Sequence, residues 1–535
     1  MTLSARPGTL RGLLRLGGRI KALSYLAVLG CFAVLAAGSA AQGAGAGPAH
    51  RIAGIVPPKN KVISTARAAR ASCHGPSPCT NLTYHDGPVM HTSTTYAIFW
   101  QPPGYTSFDG QPVYDTNYKS LIGQYFQDLQ ADSGFLSNVY GPNVQYCDGA
   151  ADGAEDCNGV AAGNHITTNT TYGGSWTDTQ NFPTSGCTDP LSLTTVCLTD
   201  AQLITEIQHA ISVNGWSASA TNMFFIFTPR GVQSCVDIFC AYDFYCAYHS
   251  NVGTGSHALI YANMPYPKFS TDPNLDVCDV GEHPNGDLAD AVLNVTSHEH
   301  NEAITDPEVD PVPTGWIDDF DFTGGENGDK CAWYFGSESG PIGSKYNQTI
   351  NGHHYDLQLE WSNSDADCVA SYGDTPSISN VSPNHGVVGQ PIKVKGKHFA
   401  GATDVTFNTT AATSFTLKGN TLTAVVAPGT TTGPVHVTTS VARVDGPSFT
   451  VDPSPVPTIK SFKPASVPAG ATVTVTGTGF WGTSAVKVNG VDVQSFAVKS
   501  ASKLSFVVGG GNSSGQVSVT TPGGTVVSAG TLTVT

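Results

Sequence analysis

Apolar positions in the first two thirds of the chain follow two rhythms. TTYAIFW (94–100), NMFFIFTP (222–229) and HALIYANMP (257–265) are short aromatic or β-branched runs bounded by breakers, which predicts strands. NYKSLIGQYFQDLQ (117–130) instead carries Leu121, Tyr125, Phe126 and Leu129 at helical spacing. TDAQLITEIQHAISV (199–213) opens with Thr199 and Gln202, the pattern of a capping box, and predicts a second helix. A third is predicted over 288–305, where Leu288, Ala291, Val295, His298, Glu302 and Thr305 fall three or four apart on one face. Pro307 ends it, because the residue before a proline is disfavoured in α geometry. Residues 140–198, rich in Gly, Asn and Thr with four cysteines, predict a loop-heavy, stapled insertion.

After Cys368 the pattern becomes short polar/apolar alternation, as in IKVKG, VHVTTS, VTVTG and VSVTT, and cysteine and glutamate disappear. The segment is duplicated. Residues 376–401 align without gaps to 457–482, matching Pro383 to Pro464, Gly389 to Gly470, Gly396 to Gly477 and Phe399 to Phe480. This pattern resembles the IPT/TIG immunoglobulin-like module, which implies two β-sandwiches, at 376–453 and 457–535. Such modules serve as spacers or as binding platforms at surfaces, so the resemblance speaks to fold rather than activity.

Charge divides the chain in the same place. Residues 42–375 hold 10 basic and 37 acidic side chains, a net −27, whereas 376–535 hold 10 and 4, a net +6. A body so acidic repels phosphate backbones, and nucleic acid is excluded as a partner. The N-terminus adds an address. Arg6, Arg11, Arg15, Arg19 and Lys21 precede the apolar run 22–38, and small residues follow, so 1–41 reads as a signal peptide cleaved near Ala40 or Ala41. The expected product is secreted, extracellular or surface-associated, with no membrane segment after cleavage. Residues 42–80, Gly/Ala/Pro-rich and then basic, read as a linker or pro-segment. Of 13 cysteines, 12 remain after the leader, an even number that implies disulfides. Connectivity is not set by sequence; Cys147/Cys157 and Cys187/Cys197 are close pairs offered as candidates.

The chemistry concentrates in SHEHNEAITDP (297–307), one residue away from the zinc-protease pattern H-E-x-x-H. On a helix His298 and Glu302 lie one turn apart, the placement two metal ligands need, and Glu299 projects about 100° away, where it could activate a water. A third ligand is sought among Asp306, Glu308 and the loop DDFDFTGGENGDKC (318–331), with Glu326 preferred and Asp306 second. A carboxylate in place of a second imidazole hardens the site, so Zn²⁺ is the expected ion, with Mn²⁺ or Ca²⁺ also accepted. His300 falls on the opposite side of the helix. In 318–331, Asp319, Asp321, Thr323 and Gly324 match the start of a calcium loop, but Lys330 stands where the closing Glu belongs, so an EF-hand is excluded. An acidic helix end with paired side chains explains the same letters without metal.

YHDGPVMHTSTTYAIFW (84–100), FFIFTPRGVQSC with FCAYDFYC (224–246), ADAVLNVTSHEHNEAITDP (289–307), GW (315–316) and GENGDKC (325–331) occur in one order. Together they resemble the EXORDIUM-like, phosphate-induced protein 1 family over roughly 84–370. The resemblance implies an extracellular, zincin-like α+β domain, here 81–372. By position it carries over Glu299, Glu302, Asp306, Glu326 and Asp329; His298 replaces the serine usual in that family. The expected architecture is therefore multidomain, an α+β zincin-like domain followed by two all-β immunoglobulin-like sandwiches. The expected activity is a zinc-dependent, peptidase-like hydrolase, with catalytic Glu299 and metal ligands His298, Glu302, Glu326 and Asp306, acting on extracellular protein or peptide. The alternative is a non-catalytic protein that binds cell-wall polysaccharide or other glycan on a degenerate zincin scaffold.

Overall fold

A computed structural model of the chain describes residues 53–59, 80–107, 110–188, 196–268, 277–309, 314–318 and 325–535. The leader, most of 42–80, and Asp319, Asp321, Thr323 and Gly324 of the calcium-like loop lie outside the described residues. Among those residues the fold is mostly β with three α-helices, α1 (Tyr118–Ala131), α2 (Asp200–Asn214) and α3 (Ala289–Thr305). Each begins and ends within one residue of its sequence prediction.

The body is organised on a six-stranded sheet whose strands we label β1 (Ala53–Val56), β2 (Ser93–Trp100), β3 (Thr170–Asp178), β4 (Asn222–Phe227), β5 (Ala247–Val252) and β6 (Leu259–Met264). Their order across the sheet is β1-β5-β6-β4-β2-β3. Strands β6, β4, β2 and β3 run parallel, whereas β5 pairs antiparallel with both β6 and β1. Successive side chains on a strand point to opposite faces. On β5 the fully buried Tyr248 therefore turns to α2, where its hydroxyl donates to Asp200 (2.7 Å), while its neighbour His249 turns to α3. Helices thus cover both faces, and β4 and β6 read as nearly continuous apolar or aromatic runs for that reason.

Two sequence expectations change here. No element was expected in 42–80, yet residues 53–56 form an edge strand, because β5 leaves its outer hydrogen-bonding groups free for Ala53–Val56 to pair with. The third helix was expected to bury one face, but every residue of α3 is buried. Loops at 140–145, 325–331 and 355–361 cover the side turned away from the sheet; Asn143 reaches Asn301, and Gln358 N–H donates to Asn294.

Five disulfides staple the described part of the body: Cys147–Cys157, Cys187–Cys197, Cys235–Cys240, Cys246–Cys278 and Cys331–Cys368. The last ties the 325–331 loop to the 360–369 hairpin. The body and the first module meet at a backbone contact, where Leu136 N–H donates to Val441 O and Tyr372 N–H to Leu136 O.

Both C-terminal modules are two-sheet sandwiches with the same strand order, a four-stranded sheet facing a five-stranded one, each around its own apolar core. The repeated glycine has a steric cause. A Cβ at Gly396 would lie 1.9 Å from Ser377 O and 2.3 Å from the Phe399 ring; at Gly477 it would lie 1.8 Å from Thr458 O and 2.7 Å from Phe480. Gly and Phe recur together because the ring lies over the missing side chain.

One buried acid pair gives a test of the body. Glu206 on α2 and Asp178 at the end of β3 are both buried, and Glu206 Oε1 and Asp178 Oδ2 have no hydrogen-bond partner. Burial, followed by the neighbouring Asp178 carboxylate, pushes Glu206 up to about 9. The folded chain therefore keeps a proton that the unfolded chain loses near its ordinary value, and stability falls as pH rises from that value toward 9. Glu206→Gln, neutral at every pH, is expected to raise the melting temperature at pH 8 by several degrees more than at pH 5. Equal shifts at both pH values would contradict this.

Candidate metal centre

Helix α3 delivers the centre. Its apolar first half anchors it against β5 and β6, and its second half carries His298, Glu299 and Glu302, all with no solvent exposure. One turn of helix sets His298 Nε2 2.8 Å from Glu302 Oε1, without hydrogen-bond alignment. From β5, His249 faces the same space: Nδ1 lies 3.2 Å from Glu299 Oε2 and 3.8 Å from Glu302 Oε2. Its Nε2 lies 3.1 Å from Asp306 O and 3.7 Å from Glu326 Oε1. A carbonyl only accepts, so Nε2 carries a proton there, and burial lowers His249, which leaves the ring neutral with Nδ1 as its acceptor facing Glu299.

The loop after α3 closes the other side. Asp329 N–H donates to Glu302 Oε1 (2.8 Å), and Asp329 Oδ1 lies 3.7 Å from His298 Nε2. Gly328 permits this approach, since a Cβ there would stand 2.8 Å from Glu302 Oε1 and 3.1 Å from the His298 ring. Two sets of donor atoms result, each within 4.8 Å of one another: His298, Glu299 and Glu302, and His249, Glu302 and Glu326. A third set, Cys187, Cys197 and Cys235, is spent in disulfides and offers no thiolate.

The electrostatics are those of a site short of positive charge. Glu299, Glu302, Asp306, Glu326, Asp329 and Glu360 are all at least nine-tenths buried. Among the described residues no lysine or arginine pairs with Glu299, Glu302 or Glu326; Lys330 is held by Asp318 and the Trp361 ring. Burial and the Glu302 charge push Glu299 and Glu326 well above the usual carboxylate range, and burial leads the rise of Asp306 to about 7. Burial opposes a charged His298, but the Glu302 carboxylate beside it and the other acids outweigh that and hold it well above the usual histidine value. Glu299 Oε1, Glu302 Oε2 and both oxygens of Glu326 have no hydrogen-bond partner. Buried acceptors left bare cost about 1–3 kcal/mol each, more when charged, and a cation is what such a donor set accommodates.

The predicted site residues fall into different places. His298, Glu299 and Glu302 come together. Glu326 comes in beside His249 and Glu302 rather than completing the His298 set. Asp306 does not join either set: it caps α3 with φ −147° and ψ 74°, which swings its Oδ1 to the Gly315 N–H (2.7 Å). Glu308 accepts from Gly255 N–H instead. His300 turns away, with Nδ1 and Nε2 near Tyr140 and Ser93 hydroxyls, and burial lowers it to about 3. Sequence reasoning missed His249. Its signal was available: a polar His-Ser-Asn run (249–251) between the apolar Ala247-Tyr248 and Val252 of a strand, with the three polar residues fully buried.

Strand β1 covers the centre. Val56 is fully buried, its N–H opposes the rise of Glu299, and its carbonyl accepts from Cys246 N–H (2.7 Å). Trp333 Nε1 holds Pro57 O (2.8 Å), and Lys59 N–H bonds Val277 O (2.9 Å).

Residues 376–452 and 457–534 match the IPT/TIG domain model, and the chain carries two such domains. No model for an EXORDIUM-like or zincin family matches the body. No curated protein matches the chain. Solved structures with partial likeness include SGBP-B from a complex xyloglucan utilization locus in Bacteroides uniformis (21% identity, 30% of this chain and 50% of that one, TM-score 0.17). Others are the surface glycan-binding protein PbSGBP-B from Prevotella bryantii (15% identity, 30% and 42%, TM-score 0.16) and the Bacteroides ovatus mixed-linkage glucan utilization locus SGBP-B with a mixed-linkage heptasaccharide (15%, 31% and 47%, TM-score 0.16). The chain thus spans half or less of the length of these structures. Among the described residues no helix is long and apolar enough to cross a membrane.

Proposed function

We propose that the protein acts at an extracellular surface, where two IPT/TIG arms attach it to polysaccharide and the body forms a zincin-like scaffold around a divalent-metal centre. The observation that carries the metal centre is the convergence of His298, His249, Glu302 and Glu326, buried, with bare acceptor oxygens and no lysine or arginine partner among the described residues. Two imidazoles among carboxylates suit Zn²⁺ or Mn²⁺ better than Ca²⁺, which takes oxygen ligands. The attachment reading is supported by the charge contrast between the two parts, since arms of net +6 on an acidic body favour anionic polymers.

A hydrolytic role for the centre is the second reading, and one observation favours it. Glu299 Oε1 has no hydrogen-bond partner and stands among the candidate ligands, where a bound cation would draw the carboxyl back to its ionised form and leave it to act as a base. A divalent ion bound there would supply Lewis acidity toward a carbonyl or similar electrophile. His298 and Glu302 would hold it, His249 Nε2–H would keep its ring oriented through Asp306 O, and Gly328 would keep the loop close.

Two arms of one experiment separate these readings. The full chain is expected to sediment with insoluble acidic polysaccharide, and a chain ending at residue 375 is expected to stay in solution; equal retention would remove the attachment role. Glu299→Gln, with metal content unchanged, is expected to lower hydrolysis of peptide substrates by about a hundredfold or more. Undiminished hydrolysis in that variant would leave the centre a structural one.

A further inference from the structure

We propose that the centre holds two divalent cations, with Glu302 shared between them as a bridging carboxylate. The inference rests on the metal-centre reading above and adds a second ion to it. What carries it is the way Glu302 divides its oxygens. Oε1 lies 2.8 Å from His298 Nε2, while Oε2 faces the other histidine, 3.8 Å from His249 Nδ1. A carboxylate serving one ion would turn both oxygens, or one, to the same donor set. Here each oxygen has its own imidazole.

Each side is completed by a different acid. Asp329 Oδ1 stands 3.7 Å from His298 Nε2 on the first side, and Glu326 offers a donor within 4.8 Å of those of His249 and Glu302 on the second. Donors bonded to one tetrahedral ion at about 2.0–2.1 Å sit about 3.3 Å apart, so separations between 2.8 and 3.8 Å fit a common ion on either side. The second side has its own evidence of a missing cation. Glu302 Oε2 and both Glu326 oxygens are bare, in side chains at least 98% buried. His249 Nδ1 faces Glu299 and Glu302 oxygens at 3.2 and 3.8 Å, and its Nε2 lies 3.7 Å from Glu326 Oε1. Buried acceptors gathered around one imidazole, with no lysine or arginine against them among the described residues, are what a cation accommodates. Carboxylate-bridged pairs of ions about 3.5–4 Å apart recur in hydrolytic centres, where they clamp an oxygen between them.

The test is a count. Full-length protein is loaded with excess Zn²⁺, desalted and analysed for bound metal. Two ions per chain are expected, one in His249→Gln, one in His298→Gln and none in Glu302→Gln. No metal in the wild type would overturn the metal centre itself. A single ion that His298→Gln removes and His249→Gln keeps would sink the second cation and leave the first. Two ions that persist in both histidine variants would place them elsewhere and overturn the proposal. Should the variants fail to fold by circular dichroism, the wild type loaded with Mn²⁺ decides. An exchange-coupled pair spectrum by electron paramagnetic resonance is expected, and the six-line pattern of isolated ions would contradict it.

Discussion

Stripping divalent metal with a chelator is expected to lower the melting temperature of the body by about 10 °C and leave the two modules where they were. Ligand binding stabilises by RT ln(1 + [L]/Kd), about 4 kcal/mol at a thousandfold excess over Kd, and each kcal/mol is worth about 2–4 °C in a domain of this size. The ion also neutralises carboxylates that have no lysine or arginine against them in the described residues, so the apo body must protonate or repel. The modules provide the internal reference, because each sandwich is built on a separate apolar core and carries none of the candidate ligands. Differential scanning calorimetry with and without chelator reads all transitions in one trace. A body transition that ignores the chelator, in protein shown to bind metal beforehand, would refute the stabilising role.

Val56→Asp is expected to expose the centre. The strand at 53–56 lies along β5, and Val56, whose N–H opposes the rise of Glu299, is fully buried. An aspartate there places an unpaired charge among carboxylates, which costs about 2–3 kcal/mol and raises the open population about 30–150-fold. Release of metal to a chelator should accelerate to match. Ile55, half-buried on the other side of the same strand, supplies the control: Ile55→Ser should change the release rate about twofold or less. Equal rates in both variants and the wild type would show that the strand does not limit access. The geometry is that of strand addition to an exposed sheet edge, with backbone hydrogen bonds giving affinity and one side chain giving fit.

What could be read from the residues follows from the range of the interactions. Helix α3 was legible because its start, stop and facing residues are set locally, by apolar spacing and by Pro307, and with it came the His298–Glu302 pair one turn apart. The modules were legible for another reason. Gly396 and Gly477, each beneath its phenylalanine, are the same steric requirement written twice at an offset of 81. His249 was not legible, since it lies on a strand far upstream and meets Glu299 only through the sheet. Glu326 was legible as a candidate through its distance from Glu302, and the fold gathers it with Glu302, but the histidine beside it is His249, which spacing along the chain did not point to. Asp306 looked like a ligand because it follows the helix closely, but its backbone leaves α geometry and carries the carboxylate to Gly315. The strand at 53–56 could not be seen either, as four residues of AGIV gain their conformation from the open edge of β5 and not from their own pattern.

The most direct measurement is anomalous diffraction from crystals of the full chain grown with Zn²⁺, with data collected on both sides of the zinc absorption edge. The account predicts peaks about 2.0–2.2 Å from His298 Nε2 and from Glu302, with a further peak beside His249 and Glu326. A difference map empty at Glu302, with zinc bound only at other positions of the molecule, would contradict it.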